Sequence, residues 1–287
     1  MLNIIASKLF ELKSECNYRI ALWKHARRLP ALEERDRLIV DTLKQEGVYV
    51  TSITELGLDS TTELLKAARV QLSRMSAADN TPVGEKLPQI YTVTDVGEFS
   101  QWGREKRLLA IVENYIGLPI AFHGVHLRRD FPNTNQFGTL LWHKDSEDRR
   151  IIKIIVYLTD VEAHHGPFEY VPLSLTSLFS FNYYRIYHKL WQSGYLGIKD
   201  EQLKEVIPKK YWKSCTGPAG TVIFVDTKSV LHHGTLRTQQ RDTLFFVYTA
   251  NPPKRPELCT QYWDDTFPKP QLNTEAVVAC KDDFCHG

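Results

Sequence analysis

The sequence predicts a mainly β fold, a sandwich or barrel with helices flanking it on the N-terminal side. Three observations lead there. From Pro119 onward the chain breaks into short β-rich runs, Ile120 to Leu127, Thr139 to His143, Ile151 to Leu158, Phe168 to Val171, Thr221 to Val225 and Thr243 to Tyr248, with Gly and Pro between them. Many short strands with that punctuation form layered β structures. Before Pro119 the apolar residues recur at helical spacing instead. With 287 residues, 43% hydrophobic and 11% aromatic, the chain can bury a sizeable core as one large domain.

The elements follow in order. Ile5, Leu9, Leu12, Cys16, Ile20 and Trp23 recur at spacings of four and three, a stripe expected to pack one helical face on the core. Pro30, Glu33 and Glu34 suit a helix start and Gly47 its end, giving a second helix. Val48 to Thr51 is short and β-branched, an opening strand. Ser60-Thr61-Thr62-Glu63 reads as a capping box ahead of Leu64, Leu65, Ala68 and Leu72. Ala77 to Pro88 reads as a polar loop, and Val96 to Ile116 as a helix closed by Gly117. Residues 1–88 are therefore expected to form a helical segment and opening strand of the same domain as the 89–287 core. An insertion at 173–212, rich in aromatics (Phe179, Phe181, Tyr183, Tyr184, Tyr187, Trp191, Tyr195), is expected to be partly helical and to pack as a local core, or to wall the substrate.

Charge and cysteines narrow the class. Lys plus Arg number 36 against 34 Asp plus Glu, which gives no electrostatic case for nucleic acid or an anionic membrane. Five scattered cysteines without a CxxC pair suit free thiols in a reducing, cytoplasmic setting. Cys280, Cys285 and His286 supply too few ligands for a metal site. Met1 to Phe10 lacks the features of a signal peptide, and no uncharged apolar run is long enough to span a bilayer.

The chemistry centres on His143-Lys144-Asp145 and on Leu231-His232-His233-Gly234, which follows the apolar run Gly220 to Asp226. On a strand, residues two apart share a face, so His143 and Asp145 form half of a metal claw. An imidazole from the second cluster completes two histidines and a carboxylate, the facial set that leaves open positions on ferrous iron. Each part alone has a plainer explanation: a lone strand His is more often a hydrogen-bonded core residue, and Arg241 beside Asp242 could be a surface pair. His164 and His165 precede a Gly-Pro turn and need no metal. His123 and His126 lie on one strand and are not expected as ligands, while Trp142, Lys144 and Lys153 either line the pocket or cover the sheet edge.

Taken together, His143-Lys144-Asp145, Tyr157-Leu158-Thr159-Asp160, Gly166-Pro167-Phe168-Glu169-Tyr170-Val171-Pro172, the glycine-led run from Gly220, His232 with Gly234, and Arg241 before Thr243 to Tyr248 resemble the phytanoyl-CoA dioxygenase-like, iron(II)- and 2-oxoglutarate-dependent oxygenases. The resemblance covers 120–250, with Leu43 to Ile53 similar to the family's opening strand. It implies a double-stranded β-helix, a cupin-like jelly roll with N-terminal helices on one face. It also implies His143, Asp145 and His232 as iron ligands, His232 being chosen over His233 because the family's ligand stands two residues before a glycine. Arg241 would hold the far carboxylate of 2-oxoglutarate through paired hydrogen bonds that Lys cannot copy. With dioxygen as the other co-substrate, decarboxylation gives succinate and carbon dioxide, and a C–H bond of a small-molecule or lipid-like substrate is attacked. Asp145 argues against halogenation, whereas desaturation and rearrangement share the same residues. A cupin-like binding protein without turnover is the reading from another class. The chain departs from the family at Pro172-Leu173-Ser174-Leu175, where Pro-Gly-Ser-His is common, and this bears on the loop beside the substrate.

Overall fold

A computed structural model describes residues 2–75, 86–178 and 180–262. In chain order the elements are α1 (Leu2–His25), α2 (Glu34–Glu46), β1 (Val48–Ser52), α3 (Ile53–Leu56), α4 (Thr61–Arg74), β2 (Gln89–Thr92), α5 (Gly97–Gly103), α6 (Lys106–Ile116) and β3 (Ile120–Asp130). Then come β4 (Ile152–Tyr157), β5 (Phe168–Val171), α7 (Leu173–Thr176), α8 (Phe181–Gln192), α9 (Asp200–Lys204), β6 (Lys213–Cys215), β7 (Thr221–Asp226), β8 (Leu231–Gly234) and β9 (Arg241–Ala250).

Side-chain alternation turns the strands into layers. A six-stranded antiparallel sheet has the order β1-β7-β4-β9-β3-β2, and a three-stranded one the order β6-β5-β8. Ile154, Val156, Phe224, Leu244 and Phe246 face the helices and pack with Leu43, Leu64, Phe99, Trp102 and Val112. Ile155, Tyr157, Ile223 and Val225, one residue out of phase, meet Phe168 and Tyr170 of the small sheet. Burying each large apolar side chain contributes about 1.5–3 kcal/mol, so a one-residue slip that exchanged the faces would be very costly. The result is the expected jelly roll, with helices on the outer face of the large sheet and a cavity between the sheets.

Several expectations are corrected. Thr139 to His143 is not a strand: a short 3-10 turn, Gly138–Leu140, precedes single bridges at Trp142 and His143. The helix expected over 96–116 breaks at Arg104 and Glu105 into α5 and α6. Ser60 does not cap α4, because its hydroxyl donates to Glu105 instead, and the capping box that forms is Ser52 with Glu55 at α3. β9 starts at Arg241, two residues before the expected run, and β3 continues to Asp130.

The N-terminal stripe is also not a core face. Leu12, Ile20 and Trp23 are exposed, and α1 is joined to the body through Arg149 to Glu15 at 2.8 Å and His25 to Glu113 at 2.7 Å. The side chains of Ile5 and Leu9 lie outside the described residues, as do Cys280, Cys285, His286, Phe179 and most of the polar loop. In the insertion, the local core is built by Ile186, Leu190, Ile198, Leu203, Ile207 and Trp212, packed with Trp142. Phe181, Tyr184, Tyr187, Trp191 and Tyr195 instead point outward, because the helical repeat of α8 sets them opposite Ile186 and Leu190 or beyond its end. Among the described residues no helix is long and apolar enough to cross a membrane.

Candidate metal centre

The segment carrying His143 and Asp145 is irregular, yet backbone bonds fix it on three sides. Trp142 exchanges hydrogen bonds with Ile198 of the insertion (2.8 and 3.0 Å), and His143 exchanges them with His232 of β8 (3.0 and 3.1 Å). The Asp145 amide donates to the Thr227 carbonyl at 3.0 Å. Residues paired across such a bridge project to the same side. The two rings accordingly lie 4.4 Å apart, centroid to centroid.

Ligand atoms of His143, Asp145 and His232 all lie within 4.8 Å of one another. Each imidazole is also oriented from behind. Nδ1–H of His143 donates to the Leu141 carbonyl at 2.7 Å and Nδ1–H of His232 to the Val230 carbonyl at 3.2 Å. A carbonyl only accepts, so both rings carry the proton on Nδ1 and turn a free Nε2 toward the cluster. Burial lowers the pKa of His143 and pushes that of His232 down to about 3. Both are neutral at neutral pH, the form that binds metal. Burial alone would raise the Asp145 carboxyl, but Lys153, 2.7 Å from Oδ2, and the two histidines hold it below the usual range. Two neutral imidazoles and an ionised carboxylate fit a divalent transition metal.

His233 turns away. Its Nδ1 faces the Leu140 carbonyl and its Nε2 the Glu169 carboxylate, each at 3.0 Å, and the ring stacks on Trp142 at 3.8 Å. The opposite facing of the two adjacent histidines is what strand alternation requires.

The cavity beside the cluster, about 210 Å³, is lined by His143, His232, Lys153, His126, Arg237 and Arg241 among others, and by none of the described residues of the insertion. Arg241 is therefore not a surface residue. Its Nε and Nη2 donate to Asp130 Oδ2 at 3.2 and 2.8 Å and its Nη1 to the Gly166 carbonyl. Asp242 points to the opposite face and takes a two-pronged bond from Arg129 (2.8 and 3.0 Å). Lys153 lines the cavity, whereas Lys144 donates to the Ser229 carbonyl at 2.6 Å and Trp142 is fully buried in the insertion core. His126 lines the cavity, while His123 faces Thr249.

The sequence reading missed the partners of Arg241. Arg128 Nε donates to Asp130 Oδ1 at 2.8 Å, and Arg237 Nη1 lies 2.9 Å from Asp130 Oδ2. One buried carboxylate thus faces three guanidiniums. Burial, and Arg241 alongside, bring the pKa of Arg237 down to about 10. A Cβ at Gly234 would come 3.2 Å from Arg237 Nη2 and 3.7 Å from Arg241 Nη2. Glycine there leaves room for the paired guanidiniums. The alternation of His126, Arg128 and Asp130 was the available signal, but Arg128 and Asp130 lay past the expected end of the strand at Leu127.

No family model matches the chain, and no curated protein sequence matches it. Solved structures do. The chain is similar to HygX from Streptomyces hygroscopicus, crystallised with nickel and 2-oxoglutarate bound, at TM-score 0.50 and 18% identity, over 77% of this chain and 88% of that one. It is similar to EctD from S. alaskensis in its apoform, at TM-score 0.51 and 21% identity, over 78% and 79%. EctD with 2-oxoglutarate and 5-hydroxyectoine gives TM-score 0.51 and 20% identity, over 77% of each chain. The chain has the fold of these proteins, the jelly roll built here around a His-Asp-His cluster.

Proposed function

We propose that the protein is an iron(II)- and 2-oxoglutarate-dependent dioxygenase that hydroxylates an aliphatic C–H bond of a small-molecule substrate. One observation carries the reading: the two histidines of a His-Asp-His cluster line the same cavity as three arginines that share the single carboxylate of Asp130. A binding protein needs the first and has no use for the second. The fold shared with HygX, whose structure holds nickel and 2-oxoglutarate, supports it.

In this reading His143, Asp145 and His232 hold the ferrous ion, which supplies open positions for a chelating 2-oxo acid and for dioxygen. The Leu141 and Val230 carbonyls keep both rings in the ligating tautomer. Lys153 keeps Asp145 ionised. Arg241, clamped by Asp130 and the Gly166 carbonyl, presents its remaining N–H groups to the far carboxylate of 2-oxoglutarate from a rigid position. Preorganisation of this kind lowers the cost of binding.

The deciding experiment is an anaerobic titration. The protein should bind one ferrous ion and then 2-oxoglutarate, with a weak visible charge-transfer band. Metal-loaded protein that binds no 2-oxoglutarate by calorimetry would instead be a cupin-like binding module. The Arg241→Lys variant should need about one to two powers of ten more 2-oxoglutarate, with metal binding nearly intact. That corresponds to roughly 1.5–3 kcal/mol for a lost charge-assisted hydrogen bond. An unchanged requirement would remove Arg241 from the co-substrate site.

A further inference from the structure

The metal cavity has a neighbour. A second cleft, also about 210 Å³, is lined mostly by apolar residues, among them Leu87, Pro88, Ile90 and Phe137. Ile90, Arg128 and Thr139 line both spaces. Pockets that bury a small organic ligand usually measure about 300–1,000 Å³. The metal cavity alone is too small for a chelating dicarboxylate and a substrate together, but the two spaces combined fall within that range. The substrate must then pass Arg128.

We propose that Arg128 is an anion-binding residue for an amphipathic organic substrate, taking its oxyanion, a carboxylate or phosphate, while the apolar part lies in the Leu87, Ile90 and Phe137 cleft. The assignment rests on the oxygenase reading of the metal cavity. Two observations on Arg128 support it. Its Nε is committed to Asp130 Oδ1 at 2.8 Å and its Nη2 to Thr139 Oγ1 at 2.9 Å, which fixes the plane of the guanidinium. Its Nη1 has no hydrogen-bond partner among the described residues, although the side chain is only 14% exposed. A fixed guanidinium with one free edge in a cleft wall is preorganised for an oxyanion.

Charge balance points the same way. Arg128, Arg237 and Arg241 face the single carboxylate of Asp130, while Lys153 is matched by Asp145. The far carboxylate of 2-oxoglutarate would neutralise one of the two surplus guanidinium charges, leaving at least one, since Asp145 is shared between Lys153 and the divalent ion in the oxygenase reading. Unpaired charge in a buried site is costly. A neutral substrate would leave that charge unmatched, and a cationic one would add to it.

The test uses the full chain loaded with nickel, which is inert to oxygen chemistry here, and saturated with 2-oxoglutarate so that Arg241 is occupied. Octanoate, octyl phosphate and octanamide are titrated by calorimetry or ligand-observed NMR. At least one of the two anions should bind on the order of tenfold more tightly than octanamide, and the better one identifies the oxyanion. The Arg128→Gln variant should lose the preference, and Arg128→Lys, which keeps the charge without the fork, should retain part of it. Asp130 keeps two other guanidiniums in either variant, so the fold should survive. Equal binding of all three compounds, no saturable binding of any, or a preference that survives in Arg128→Gln would overturn the assignment. Binding of 2-oxoglutarate to the nickel protein is measured first. Its absence would refute the oxygenase reading, whereas the substrate assignment is scored on the separate octyl titrations.

Discussion

Replacing His232 by Ala is expected to abolish succinate formation, whereas His233→Ala should keep measurable turnover and lose stability instead. On the proposed assignment His232 supplies one of three protein ligands. Removing even an outer partner of a ligand costs about 10–100-fold in metal affinity, so loss of the ligand itself should cost at least about 100-fold. His233 has a different task. It lies between the Leu140 carbonyl and the Glu169 carboxylate and stacks on Trp142. Its loss leaves a buried carboxylate without its partner and a gap against the indole, a cost of about 1–3 kcal/mol. Equilibrium metal titration with thermal unfolding separates the two effects. Metal retained in the first variant and lost in the second would reverse the roles of the two histidines.

That choice shows what the sequence made legible. His143, Asp145 and His232 converge because spacing and strand alternation are local rules, and the β8 alternation holds in the fold. The strand argument for His143 and Asp145 named two residues that the structure does bring together, but by an incomplete route. The segment is a loop, held by β8, Thr227 and Ile198. No local rule announces partners 56 residues away, as from Trp142 to Ile198, or farther. Asp130, Arg128 and Arg237 were invisible for the same reason, since charged residues near the end of a strand look like a solvated edge until the sheet order places β9 beside β3. The exposed face of α1 shows the converse failure. Periodicity marks an apolar stripe but does not say what covers it, and here Leu12, Ile20 and Trp23 remain exposed.

The Asp130→Asn variant is expected to lose about 3–5 kcal/mol of stability, the range seen when one partner is removed from a buried ion pair. Asp130 is 3% exposed and is the shared counter-ion of Arg128, Arg237 and Arg241. Asparagine preserves the shape and removes the charge, leaving three guanidiniums to repel one another across the cavity wall. The pH dependence follows from the direction of the carboxyl's shift. Burial works to raise its pKa, but Arg128, Arg241 and Arg237 outweigh burial and hold it well below the usual carboxylate range. A depressed folded pKa stabilises above the unfolded value, about 3.9 for Asp, and that contribution is lost as pH falls toward the folded one. The difference between wild type and variant in urea unfolding should therefore be level from about pH 5 to 8 and shrink only below about pH 4. Because the variant carries an unbalanced cluster, added 2-oxoglutarate should restore more stability to it than to wild type, by mass action on the folded state. A loss under about 1 kcal/mol, the size of a solvated ion pair, would mean that the three guanidiniums do not depend on Asp130 for their charge balance.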